Sequence, residues 1–191
     1  IIYAAAPSMA KEVVCKSQYE ATDPEYLKYM TNEDAYKRVL SYEVLRLIRE
    51  YFKNYGVFSM SKNWKCPLLW SHYADEHKGI CVEYDLKDAK EQVYPVKYGL
   101  SRVILCSEAY EWFVNKDAAA YRTIFDRYFL AKAREWRYER ECRCVSTNQG
   151  TAYSPFRVKG IYFGVRTPYA VEVALRKLLI ASRNKDHICS I

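Results

Sequence analysis

Two short segments of the sequence concentrate side chains that can stack, titrate or donate hydrogen bonds. The first is the run Trp70, Ser71, His72 and Tyr73. Histidine titrates near neutral pH and can act as an acid, a base or a hydrogen-bond donor, and aromatic rings stack on planar ligands. The run therefore predicts a ligand-binding or catalytic site. A buried His–Tyr pair that ties a turn to a sheet would give the same pattern.

The second segment contains two acidic residues and one basic residue at a spacing of two, namely Glu139, Glu141 and Arg143. Alternate residues of a strand share a face, so a strand here would project all three side chains together. Arg143 could then hold one carboxylate in a bidentate pair while the other contacts a ligand. A solvent-exposed ladder of cross-strand ion pairs is the alternative interpretation.

Metal binding is a further possibility, because Cys66, His72, His77 and Cys81 lie close together in the sequence. Five, four and three residues separate successive members of this set. Structural zinc sites instead use tight Cys-x-x-Cys pairs. We therefore predict no metal site.

The surrounding elements follow from hydrophobic period, caps and breakers. Helices and strands both occur without a regular βαβ alternation or a glycine-rich phosphate loop, which predicts an α+β fold: a mixed, mostly antiparallel sheet flanked by helices. The predicted helices are one capped by Asp23, then Glu33–Lys53, Leu68–Asp75, Asp117–Arg134 and a last helix from Thr167-Pro168 to Ala181. The predicted strands are Val57–Met60, Gly79–Asp85, an edge strand Val93–Tyr98 containing Pro95, Arg137–Val145 and 160–165.

Composition indicates an ordinary globular protein. Half of the 191 residues are hydrophobic and 28% are charged, which argues against disorder. Without a repeat or linker to divide the chain, we predict a single domain over residues 1–191. The net charge of +7 favours anionic partners such as nucleotides, nucleic acid or acidic proteins. Interleaving of basic and acidic residues is equally typical of a solvated surface.

Cysteine usage and hydropathy bear on the compartment. The seven cysteines are odd in number and irregular in spacing, which predicts reduced thiols in a cytoplasmic protein. The sequence also lacks the apolar run of about 20 residues that a membrane-spanning helix needs. We therefore predict no contact with a membrane.

Four blocks of the sequence together resemble the bacterial domain-of-unknown-function family 2971. The resemblance implies that the two segments meet in one site. Members of that family usually begin with a strand and an Asn-Asp-Pro loop, and we expect this chain to lack them. The blocks are Phe58-Ser59; Leu69–Ala74 with His77 and Gly79–Val82; Lys132 with Trp136, Tyr138, Glu139, Glu141 and Arg143; and Gly160–Tyr162 with Gly164.

A more distant resemblance, to the ADP-ribosyltransferases, implies a mechanism and a split sheet. A mid-chain aromatic and polar helix is followed by a helix that runs into a strand, where Glu141 matches the late catalytic glutamate of that class. A fixed carboxylate beside the ribose would stabilise the positive charge that develops when the nicotinamide–ribose bond breaks. The implied catalytic residues are Glu141, His72 and Tyr73, and the implied NAD-binding residues are Trp70, Ser71, Glu139, Arg143 and Ser59.

The resemblance implies an NAD-consuming transferase or glycohydrolase, acting in bacterial defence or as a toxin, with NAD as substrate and a nucleic acid or protein as acceptor. A second hypothesis is a non-catalytic sensor module of a defence system that binds a nucleotide or a protein in the same place. A third is a hydrolase or nuclease that uses Glu139 and Glu141 with His72. The oligomeric state is left open.

Overall fold

A computed structural model describes residues 33–87, 93–147 and 156–183 of the protein. Its helices are α1 (Glu33–Phe52), α2 (Pro67–Tyr73), α3 (Cys106–Phe113), α4 (Ala118–Phe125), a π-helix (Asp126–Leu130), a 3-10 helix (Arg134–Glu139) and α5 (Tyr169–Arg183). Its strands are β1 (Gly56–Ser61), β2 (Ile80–Asp85), β3 (Val93–Pro95), β4 (Lys97–Tyr98), β5 (Ala131–Lys132), β6 (Glu141–Ser146) and β7 (Arg157–Phe163). The helix predicted at Asp23 lies outside the described residues.

The described residues form two compact units. The helical unit comprises residues 33–55 and 96–134, and the sheet unit comprises 56–87, 93–95, 135–147 and 156–183. The sheet unit contains both candidate site segments, which run from α2 to β2 and from Glu135 to β6. The single-domain organisation stays a prediction.

Helix α1 buries one stripe of side chains in the helical unit. Leu40, Val44, Ile48 and Phe52 recur every four residues, which places them on one face of the helix, and each is at most 3% exposed. The Phe52 ring stacks on Trp112 of α3 with the ring centroids 5.5 Å apart. The period predicted α1, but helix α3 was not predicted.

The helix predicted over Asp117–Arg134 is confirmed as far as Leu130 and is wrong over its last four residues. Asp117 caps α4 by accepting hydrogen bonds from the N–H groups of Ala119 and Ala120, but α4 ends at Phe125 and a π-helix follows. Residues 131–132 then form β5, which pairs in parallel with β4. This pairing across the helical unit gives the backbone partners that a continuing helix would have supplied, so tertiary contact overrides the helical period.

The sheet unit contains two antiparallel sheets. One has the strand order β1-β6-β3, with β3 at its edge, and the other pairs β2 with β7. Phe58 of β1 meets Tyr84 of β2 edge to face with their ring centroids 5.7 Å apart, and it also stacks on the buried Phe156. The α+β class with mostly antiparallel strands is confirmed. The predicted strand Val93–Tyr98 is instead two strands, of which β3 contains Pro95 and has the edge position.

An ion-paired cluster joins β2 to β7 on the sheet surface. Glu83 accepts hydrogen bonds from Lys159 Nζ and Tyr162 Oη, each at 2.6 Å. The Lys159 hydrogen bond, followed by that of Tyr162, lowers the pKa of Glu83, and the same contacts raise the pKa values of Lys159 and Tyr162. The two strands are therefore tied together by a charge-dependent contact.

This cluster predicts a pH dependence of stability. A carboxyl with a lowered folded-state pKa stabilises above its ordinary pKa of 4.5, and that contribution is lost as the pH falls through the lower folded value. The lysine contribution is present below its ordinary 10.5 and is lost as the pH rises through the higher folded value. Urea unfolding of wild type and Glu83→Gln should therefore differ most between these limits and converge outside them. A constant difference at every pH would contradict the assignment.

Two further findings concern the described segments as a whole. No helix in them is long and apolar enough to cross a membrane. Their five cysteines are free, and burial raises the pKa of the Cys142 and Cys144 thiols. Free thiols in these positions agree with the prediction of reduced cysteines.

Candidate functional site

Helix α2 is short and is fixed by side-chain to backbone hydrogen bonds. Pro67 occupies its first turn, where the missing N–H costs nothing. The Ser71 hydroxyl donates to the Pro67 carbonyl at 3.2 Å, and the Trp70 indole N–H donates to the Trp64 carbonyl at 2.6 Å. Trp70 is thus held by the loop before the helix. The helix ends at Tyr73, two residues earlier than predicted.

The turn after α2 is left-handed over three consecutive residues that are not glycine. Asp75, Glu76 and His77 have φ values of 44°, 50° and 69°. Such conformations cost of order 1 kcal/mol each and persist only where surrounding contacts fix them. His77 supplies those contacts, because its N–H donates to the Trp70 carbonyl at 3.1 Å and its Nε2 lies 3.0 Å from Ser71 Oγ.

The second segment differs from the predicted strand at its beginning. Glu139 ends a 3-10 helix, Arg140 is left-handed with φ of 47°, and the strand begins only at Glu141. The predicted row of three side chains on one strand face is therefore wrong for Glu139. It holds for Glu141 and Arg143, whose side chains form the predicted bidentate pair, with Nε 2.7 Å from Oε1 and Nη2 3.3 Å from Oε2.

The two segments meet through Glu139. The Tyr73 hydroxyl donates to Glu139 Oε1 at 2.9 Å, and the Ser61 hydroxyl at the end of β1 donates to the Glu139 carbonyl at 2.6 Å. The rings of His72 and Trp136 lie beside this contact with their centroids 6.2 Å apart. Residues 66 positions apart in sequence are thus joined at a carboxylate that is only 4% exposed.

Exposure distinguishes the rings of this site from its carboxylates. Tyr73 keeps 68% of its surface exposed and Trp136 keeps 38%, whereas Glu139 and Glu141 are 4% and 7% exposed. His72 is also exposed. Rings open to solvent beside shielded negative charge can stack on a planar, positively charged group and stabilise that charge.

The remaining candidates lie around this contact in different ways. Ser59 is exposed on β1, directly opposite Arg143 in the strand register. Ser71 is turned toward His77. Ser61 and Trp64 were not predicted as site residues, although the run Lys62-Asn63-Trp64-Lys65 combines an aromatic ring with two basic residues, a pattern that can indicate a binding loop. Within the described ranges, His, Cys, Asp and Glu side chains do not gather in any group of three that could hold a metal ion.

Tyr73→Phe should destabilise the sheet unit by about 1–2 kcal/mol. The substitution removes a hydrogen bond to a buried carboxylate, and bonds to charged groups contribute more than neutral ones. Urea unfolding followed by near-ultraviolet circular dichroism measures the loss. Tyr169→Phe is the matched control, because Tyr169 is 79% exposed on α5, and it should leave stability unchanged. Equal effects of the two substitutions would contradict the role of the Tyr73 hydroxyl.

The geometry defines an α+β protein with a site between α2 and the start of β6. Comparison with family models places residues 69–144 in a match to the family described as protein of unknown function (DUF2971). The match begins inside α2 and ends inside β6, so it contains both segments of the site. The resemblance predicted from the four blocks is confirmed over these residues. Comparisons with curated proteins and with solved structures gave no match.

Proposed function

We propose that the sheet unit carries an NAD-consuming active site of ADP-ribosyltransferase or NAD-glycohydrolase type, acting in bacterial defence or as a toxin in the cytoplasm. The observation that carries the proposal is the Tyr73–Glu139 hydrogen bond, which joins the two segments at one place. The exposed ring of Tyr73 and the shielded carboxylate of Glu139 occur together there, and the proposed reaction would use both kinds of group.

The reaction breaks the bond between ribose C1′ and the nicotinamide nitrogen. The bonding electron pair leaves with nicotinamide, which becomes neutral, and positive charge develops on the ribose. An acceptor O–H or N–H then bonds to C1′ and releases its proton; with water as acceptor the product is ADP-ribose. A carboxylate fixed in place before the reaction stabilises the developing charge without reorganisation.

Glu141 is the carboxylate that we assign to this task. Its pair with Arg143 holds its side chain in one orientation, and its burial strengthens a charge's field at short range. Tyr73 contributes its exposed ring face to the nicotinamide, and His72 contributes a donor to the ribose or phosphate oxygens. The surrounding NAD-binding residues of the proposal are Trp70, Ser71, Glu139, Arg143 and Ser59.

Two antiparallel sheets form the framework of the proposed site. The three-stranded and two-stranded antiparallel sheets of the sheet unit pack through Phe58, Tyr84 and Phe156. The site lies at the beginning of β6, the strand that carries Glu141.

A non-catalytic sensor module that binds a nucleotide or a protein is the second candidate. One observation favours it: both carboxylates already have partners within the protein, Tyr73 for Glu139 and Arg143 for Glu141. A site of this kind could present its rings to a ligand and leave the bound molecule intact.

Incubation with NAD separates the two candidates. Nicotinamide release is measured by chromatography with buffer alone and with RNA, DNA or protein present, and NAD binding is measured by calorimetry on the same preparation. The enzyme should release nicotinamide, and labelled NAD should mark one acceptor class if transfer occurs. Saturable NAD binding without release would support the sensor module, and the absence of both would overturn the proposal.

A further inference from the structure

An exposed aromatic platform lies next to the candidate site in the sheet unit. Trp64 stacks on Tyr162 with the ring centroids 4.3 Å apart and the planes 17° from parallel, yet Trp64 remains 43% exposed. Tyr162 is fixed beneath it by its hydrogen bond to Glu83. A large ring that is stacked and still open to solvent can receive another planar group at little entropic cost.

The loop that carries Trp64 is built into the site. Ser61 Oγ accepts from the Asn63 N–H at 2.9 Å and donates to the Glu139 carbonyl, and the Lys62 N–H donates to the Arg140 carbonyl at 3.1 Å. On its other side the loop holds helix α2 through the bond from Trp70 to the Trp64 carbonyl. The platform therefore has a fixed position relative to both segments of the site.

Positive charge flanks the platform. Lys62 and Lys65 are exposed, and Lys65 Nζ lies over the Trp64 ring, 5.4 Å from its centroid, where a stacking base would displace it. The acidic Glu83 below the platform is paired with Lys159, so its charge is offset. An aromatic ring whose neighbours in the chain carry ammonium groups can bind a stacked base together with its phosphates.

We infer that Trp64, with Lys62 and Lys65, binds single-stranded nucleic acid by stacking one base on the Trp64 ring. In a duplex the base faces are covered by their neighbours, so the platform selects single strands. The inference rests on the proposed function, to which it adds the class of acceptor: the strand held at Trp64 would present its nucleotides beside the carboxylates of the site.

Fluorescence anisotropy with labelled oligo(dT), oligo(U) and a duplex of matched length tests the inference, without NAD in the sample. Trp64→Ala should weaken single-strand binding about tenfold or more, and Trp64→Phe should retain most of it because a stacking ring remains. The double variant Lys62→Ala/Lys65→Ala should lower the slope of log affinity against log salt by about 1.4. Tyr169→Ala and Lys177→Ala, both exposed on α5, are the matched controls and should behave as wild type.

Thermal melting of each variant confirms that it is folded, and the salt slope tests the inference even if Trp64→Ala does not fold. The inference would be overturned by equal affinity for duplex and single strand, or by binding that is insensitive to Trp64 and the two lysines. Trp64-dependent binding in a protein that never releases nicotinamide would overturn the proposed NAD chemistry instead. The two failures are therefore distinguishable.

Discussion

Glu141→Gln should lower the rate of nicotinamide release by about 10²–10³-fold, the usual cost of removing one preorganised electrostatic contact to a transition state. The glutamine keeps the shape of the side chain and can still accept a hydrogen bond from Arg143, so the local fold should persist. In the proposed reaction, the substitution removes the negative charge that would stabilise the ribose. Chromatographic measurement of nicotinamide under single-turnover conditions gives the rate.

Glu172→Gln is the matched control for Glu141→Gln. Glu172 also lies in the sheet unit and also accepts hydrogen bonds from an arginine, Arg176, but both residues are on α5. Its substitution should leave the rate near that of wild type when measured at neutral pH. Calorimetry should show that Glu141→Gln binds NAD at least as tightly as wild type does. In this variant the positive charge of Arg143 is no longer offset by the Glu141 carboxylate. An unchanged rate in Glu141→Gln would contradict the assignment.

Gly164→Ala should destabilise the sheet unit by about 3 kcal/mol or more. A Cβ at this position would lie 2.0 Å from the His77 carbonyl oxygen and 2.7 Å from its carbon. These are backbone atoms in the left-handed turn after α2, and they cannot move without breaking the hydrogen bond from the Arg166 N–H to the His77 carbonyl. An added methyl group in a packed core typically costs about 1–3 kcal/mol of stability. We expect the upper end of that range or more here, because the neighbouring atoms belong to fixed backbone.

Gly160→Ala is the control for Gly164→Ala on the adjoining strand β7. A Cβ there would lie 3.3 Å from Glu83 Oε2, the end of a side chain that can shift by a few tenths of an ångström. Urea unfolding should therefore show a much smaller loss for Gly160→Ala. If the two variants are equally stable, the close approach of residue 164 to the turn is not a constraint on the fold.

Helices and strands were predictable from the sequence where apolar residues recur on one face. The four-residue recurrence of Leu40, Val44, Ile48 and Phe52 predicted α1, and alternation in residues 80–85 predicted β2. The period of α1 reports burial directly, because a helix that presents a single face to the core must repeat its apolar residues at its own period. All six residues of β2 are half-buried, so there the alternation predicted the strand without marking a buried face.

Irregular backbone was not predictable because its determinants are tertiary. Asp75, Glu76, His77 and Arg140 are left-handed, yet none is a glycine that would have marked a positive φ. Contacts from elsewhere in the sheet unit fix these conformations, for example the bond from Arg166 to His77. The early end of α2 and the late start of β6 both follow from such residues.

The candidate site was predictable in part for the same reason. The strand period of two correctly predicted that Glu141 pairs with Arg143, because both residues lie within β6. The same rule failed for Glu139, which lies before the strand and instead binds Tyr73. Ser61 carried no signal of its own, since a serine at a strand end is common and its role depends on the Glu139 carbonyl from another part of the chain.

The contact between Tyr73 and Glu139 is the feature on which the site depends, and a double-mutant cycle measures it most directly. Tyr73→Phe, Glu139→Leu and the double variant are compared with wild type by urea unfolding and by NAD calorimetry. Other partners of Glu139 are lost in both arms of the cycle and cancel, so the remainder is the coupling between the two residues. We predict a coupling of about 1 kcal/mol in stability and a loss of NAD affinity in every variant. Strictly additive effects, together with unchanged NAD affinity, would contradict a site formed by the meeting of these two segments.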